Sequence, residues 1–186
     1  MRKTIALILA VCTLLSFAVV ASADTVTSST TTLTTKVPAA SYTMKVPANQ
    51  TIDYRLTTKK IGNVTIEEST GFSELKRIEV AVGTTEFTSE KVNTTIPYSL
   101  SFRWSSGRSY GFTYAGVGVV LLFEGQQDGT VKSRATAYRE KGSSRNNPEA
   151  ELEYMEVGIT PRSWDKALAG DYTSTITFTS KVVAVT

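Results

Sequence analysis

From Tyr42 onward, apolar and polar residues alternate at a spacing of two, and the alternation recurs through most of the chain. Tyr42, Met44 and Val46 alternate with Thr43 and Lys45; Ile52, Tyr54 and Leu56 with Asp53 and Arg55; Ile78, Val80 and Val82 with Glu79 and Ala81. Leu100, Phe102 and Trp104 alternate with Ser101 and Arg103, and Met155, Val157 and Ile159 with Glu156 and Gly158. Near the end, Tyr172, Ile176 and Phe178 stand among Thr173, Thr175, Thr177 and Thr179. Successive side chains of a strand point to opposite faces, so each run predicts a strand with one buried face. Segment 117–123 is almost continuously apolar, which predicts a central strand covered on both faces.

Turn residues punctuate these runs at Gly62-Asn63, Gly83-Thr84, Gly107, Gln127-Asp128-Gly129 and Asn146-Asn147-Pro148. Gly supplies positive φ and Asn or Asp bonds its own backbone, so each marks a chain reversal, and Asp128-Gly129 predicts a hairpin. Only 163–169, closed by Gly170, carries a helical pattern, and it is one or two turns long. The expectation is an all-β chain of about nine or ten short strands, an antiparallel β-sandwich occupying 38–186 as one domain. Phe178 is expected in its core.

The N-terminus begins with Arg2 and Lys3, continues through an apolar run from Ile5 to Val20, and reaches Ala21-Ser22-Ala23 before the first acidic residue, Asp24. Basic start, apolar centre and small-x-small ending predict a signal peptide over 1–23, cleaved after Ala23. The apolar run is short for a bilayer, which needs about 20 residues, so no membrane span is expected after processing. The product would be secreted, extracellular or at the cell surface. Within 25–35, seven of the eleven residues are Thr and two are Ser, which makes 24–37 a Thr-rich arm with too little apolar surface to fold alone.

Composition limits the chemistry. The 186 residues include no His and one Cys, and that Cys12 lies inside the expected signal peptide. A His-based triad and a Cys/His zinc site are thereby excluded, and no catalytic residue, metal or cofactor is expected. Lys and Arg number 20 against 17 Asp and Glu, a net charge of +3, too small to make nucleic acid the expected partner.

Segment 103–114 holds the densest mixture of aromatic and basic residues. Arg103, Trp104, Arg108, Tyr110 and Tyr114 form the candidate ligand-binding set, with Phe112 beside them: rigid rings give contact area, guanidinium groups give donors, and the intervening Ser and Gly adapt. The competing reading is a hairpin turning near Gly107 with Trp104 and Phe112 in the core, leaving Arg108 and Tyr110 at the tip. A second polar connection spans 139–150. Glu149, Glu151 and Glu153 alternate, so on a strand they share one face, like a carboxylate or cation site or an ordinary solvated face.

Two stretches carry a family resemblance: Tyr42-Thr-Met-Lys-Val-Pro47, and the ending from Trp164 through Ala169-Gly-Asp-Tyr-Thr-Ser-Thr-Ile-Thr-Phe-Thr179. They resemble bacterial secreted β-sandwich surface proteins related to fimbrial subunits and spore-coat-U-like proteins. The resemblance implies an Ig-like or pilin-like sandwich and a structural or adhesive role without catalysis. It further implies association with other copies, as a homo-oligomer, or with envelope or surface proteins. The alternative expectation is a carbohydrate-binding module that grips a glycan with the aromatic segment.

Overall fold

Alternation becomes strand pairing almost throughout the computed structural model, which describes residues 39–113 and 118–185. The expected signal peptide, the Thr-rich arm and Tyr114 lie outside the described residues. In chain order the strands are β1 (Ser41–Lys45), β2 (Thr58–Gly62), β3 (Thr65–Thr70), β4 (Lys76–Thr84), β5 (Phe87–Thr88), β6 (Thr95–Ile96) and β7 (Ser99–Trp104). There follow β8 (Ser109–Thr113), β9 (Val119–Glu124), β10 (Ala137–Glu140), β11 (Asn147–Pro148), β12 (Leu152–Gly158), the helix α1 (Pro161–Lys166) and β13 (Ile176–Ala184). Five strands form one sheet in the order β11-β10-β9-β4-β13 and four form a second in the order β2-β12-β7-β8; β1 pairs with β3 and β5 with β6. Every pairing is antiparallel.

The inward positions of both large sheets meet in one core. Ile78, Val80 and Val82 of β4 and Val119, Leu121 and Phe123 of β9 pack in the same cluster as Leu100, Phe102 and Trp104 of β7 and Met155 and Val157 of β12. The chain is therefore an all-β antiparallel sandwich. Its strands number thirteen among the described residues because short pairs such as β5–β6 and β10–β11 add to the long alternating runs. The continuous apolar run does form a central strand, β9, with both faces covered. Its second face, Val120 and Leu122, packs with Ala137 and Ala81 in a separate small cluster.

Local chemistry decides where the pattern departs from expectation. Ile52–Leu56 is a loop and not a strand: the Leu56 N–H closes a turn on the Asp53 carbonyl at 3.0 Å, and Arg55 adopts φ +64. That left-handed residue breaks the extended backbone, while Ile52 and Leu56 stay half-buried. The helix starts earlier than expected, because Thr160 caps it through Oγ1, which accepts from the Ser163 N–H, and Pro161 supplies the first-turn φ. Asn147–Pro148 is a two-residue strand on β10 where a turn was expected. The last strand begins at Ile176, so Tyr172 precedes it, and Phe178 is half-buried on this end strand. Among the described residues no helix is long and apolar enough to cross a membrane.

Candidate functional site

Strands β7 and β8 form the hairpin expected at Gly107. The Gly107 N–H donates to the Trp104 carbonyl at 2.9 Å and the Trp104 N–H to the Arg108 carbonyl at 3.0 Å. Gly107 sits at φ +83, which a residue without Cβ adopts at little cost. This tight turn sets a register with Tyr110 opposite Phe102, and directly opposed residues of a pair share a face. Phe102 points into the core, so Tyr110 does as well.

The aromatic members of the candidate set consequently separate from the basic ones. Trp104 is 1% exposed, which removes its ring from any surface ligand. It stacks on Tyr138 of β10 with centroids 5.7 Å apart, and Tyr138 lies 4.6 Å from Tyr110. Because β8 ends one sheet and β10 belongs to the other, these three rings join the sheets along one side of the sandwich. The Tyr110 hydroxyl donates to Glu140 Oε1 at 3.0 Å. Burial, reinforced by that bond and the charge of Glu140, pushes the Tyr110 phenol up to about 12. Tyr138 is also raised, by burial and then by the Glu149 and Glu140 carboxylates.

The arginines stay at the turn. Arg103 Nη1 donates to the Gly107 carbonyl at 3.1 Å. Arg108 is 75% exposed and places Nη1 3.3 Å from Glu149 Oε1, while Ser106 Oγ donates to Glu149 Oε2 at 3.2 Å. Only the arginine of this pair is exposed: the Glu149 side chain is 9% exposed, so its carboxylate depends on Arg108 and Ser106 for the contacts that replace water. Glu149, Glu151 and Glu153 do not converge: Glu149 serves Arg108 and Ser106, and Glu151 lies 3.8 Å from Arg134. Among the described residues no group of three or more His, Cys, Asp or Glu side chains is placed to hold a metal ion.

Tyr110 and Arg108 thus have different expected responses. Arg108→Ala should cost about 1 kcal/mol, because it leaves the enclosed Glu149 carboxylate to the Ser106 hydroxyl. Tyr110 was expected at the exposed tip and instead packs against the core, so Tyr110→Ala should cost about 2 kcal/mol. A raised phenol pKa means that the protonated form is the one the fold favours. The Tyr110 contribution is therefore complete below its ordinary value of 10 and lost as pH climbs through about 12. Urea unfolding of the wild type and Tyr110→Phe across this window should show the wild type losing more stability; parallel curves would place no buried phenol here.

A cleft of about 930 Å³ lies outside the region selected from sequence, between the Gln50–Tyr54 loop and the Ala167–Ser174 segment, with Trp164 in its wall. Its one sequence signal is the exposed aromatic Tyr54 beside Arg55, hidden in a run whose alternation reads as a strand. No protein-family model matches the chain, and no match is found among curated proteins or solved structures.

Proposed function

We propose that this is a secreted, non-catalytic surface protein, structural or adhesive, which associates with copies of itself or with envelope partners through a sheet edge. The observation that carries the reading is β13. Nine residues long, it ends the five-stranded sheet and pairs with β4 on one side only among the described strands. Thr177, Thr179 and Lys181 along it are exposed. A strand edge offers a row of N–H and C=O groups to another extended chain, and natural proteins usually shorten or blunt such edges.

The Thr-rich arm is the donor that best suits this edge. Segment 25–35 has no charge, high β propensity and only Val26 and Leu33 as apolar residues, so it gains most by hydrogen bonding as a strand. Secretion is supported by Arg2, Lys3, the apolar run and Ala21-Ser22-Ala23. The aromatic segment supports a glycan grip less well, since Trp104 and Tyr110 are engaged in joining the sheets.

Deleting 24–36 is expected to convert oligomers or filaments of the processed protein to monomer, read by size-exclusion chromatography with light scattering and by filament imaging. Assembly that survives the deletion, or a monomer both before and after it, would exclude the arm as the linking strand.

A further inference from the structure

We propose that the cleft between the Gln50–Tyr54 loop and the Ala167–Ser174 segment binds an uncharged oligosaccharide, with Tyr54 as its aromatic platform. At about 930 Å³ the cleft falls within the range of roughly 300–1,000 Å³ usual for small-ligand sites. Tyr54 is 68% exposed, and on the other wall Leu168 is 56% exposed. The Tyr54 ring is nonetheless fixed. It meets Trp164 edge-on, centroids 5.6 Å apart at 80°, and the Trp164 indole N–H donates to the Leu56 carbonyl at 3.0 Å. The intervening Arg55 holds the left-handed backbone of the turn and sets its guanidinium 5.4 Å from the Tyr54 centroid. A large ring held rigid in water offers contact area with little ordering cost left to bear on binding.

Polar groups share the walls with these apolar ones. Gln50 donates through Nε2 to the Ile61 carbonyl at 2.9 Å, which anchors the amide and leaves its oxygen to accept. Asp171 is 95% exposed, held only by Lys91 at 3.6 Å, and its two oxygens can accept from a pair of neighbouring hydroxyls. Thr51 and Thr173 add exposed hydroxyls. Among the lining and flanking groups Arg55 and Lys91 stand against Asp53 and Asp171, so the charges balance and the walls select neither an anion nor a cation. A sugar combines C–H faces for Tyr54 with hydroxyls for Asp171 and Gln50. An extended peptide finds less to bind: residues 50–54 and 167–172 carry no strand to which it can pair.

The test titrates the purified chain with maltohexaose, cellohexaose and chitohexaose by calorimetry, alongside Tyr54→Ala, Asp171→Asn and Leu168→Asp. At least one hexasaccharide should bind, and each substitution should weaken it about tenfold or more. Arg108→Ala, in the β7–β8 turn and outside the lining of the cleft, should leave binding unchanged. Trp164 fluorescence and thermal melting report whether Tyr54→Ala disturbs the wall; if it does, Leu168→Asp and Asp171→Asn decide the question from the other side of the cleft. No binding of any of the three sugars at millimolar concentration overturns the proposal. So does binding that survives all three substitutions, or a synthetic peptide of residues 25–35 occupying the cleft in place of sugar. Monomeric protein that binds sugar would separate this site from strand association, since the two rest on different surfaces.

Discussion

Trp104→Ala should cost about 3–5 kcal/mol, the range for truncating a large aromatic side chain in a packed core. The indole is 1% exposed in a core shared by both sheets, and its stack on Tyr138 at 5.7 Å links β7 to β10 across the sandwich. Alanine leaves a cavity at that junction and frees Tyr138, which also carries Tyr110 at 4.6 Å. In a domain of this size each kcal/mol moves the melting temperature by about 2–4 °C, so a fall of about 6–20 °C is expected. Trp104→Phe supplies the control. Trp104 Nε1 is buried without a hydrogen-bond partner among the described residues, and an unmet donor costs about 1–3 kcal/mol. Phenylalanine loses part of the stacking area but removes that donor, so its net cost should be less than about half that of alanine. Equal losses in urea unfolding would mean that the indole N–H is satisfied in solution; a loss under about 1 kcal/mol for alanine would mean that the ring does not join the sheets.

Whether a feature was legible in the sequence depended on how local its cause is. Period two identified β4, β7 and β12 because their inward residues need only a facing sheet, whichever strands supply it, and the unbroken apolar run identified β9 because both of its faces are covered. Parity also contained the answer for Trp104, two residues beyond Phe102 and four beyond Leu100, while the mixture of rings and arginines around it suggested an exposed recognition loop. Tyr110 required one further step: counting back from a tight turn at Gly107 puts it opposite Phe102 and therefore inside. Ile52–Leu56 misled because a single left-handed residue, Arg55, reverses the chain without altering the side-chain pattern. The cleft was not legible, since its walls come from residues around 50 and around 170 that meet only in the folded chain. Nor was the partner of Tyr110: Glu140 lies thirty residues away, on a strand of the other sheet.

Glu79 is the clearest case in which tertiary contacts override a local rule, and it carries the second large expected effect. Alternation assigns it to the polar face of β4, yet it is 4% exposed. Register sets it beside Leu122 of β9 on one side and Lys181 of β13 on the other. Arg77 donates to Oε1 from Nη2 at 2.8 Å and from Nε at 3.2 Å, Arg139 donates to Oε2 at 2.8 Å, and Lys181 Nζ lies 3.5 Å away. Burial alone would raise this carboxyl, but the hydrogen bonds and charges of Arg77 and Arg139 outweigh it and hold the group below its ordinary 4.5. Glu79→Gln leaves three cations facing one another around a neutral amide. Removing one partner of a buried ion pair costs about 3–5 kcal/mol; with Lys181 68% exposed and screened, a loss of about 2–4 kcal/mol at pH 7 is expected.

The pH dependence identifies charge as the cause of that loss. A carboxyl with a depressed folded pKa contributes stability that is present above its unfolded value, near 4.5, and lost as pH falls through the lower folded value. The gap between wild type and Glu79→Gln in urea unfolding should therefore be widest at neutral pH, begin to narrow below about 4.5, and nearly close once the wild-type carboxyl is protonated. A gap of constant size from pH 7 to pH 3 would assign the effect to packing against Leu122 and not to the arginines. Arg139→Gln completes the argument. Combined with Glu79→Gln it should cost less than the two single losses added together, because each removes the same interaction, whereas simple additivity would show that the pair is not coupled.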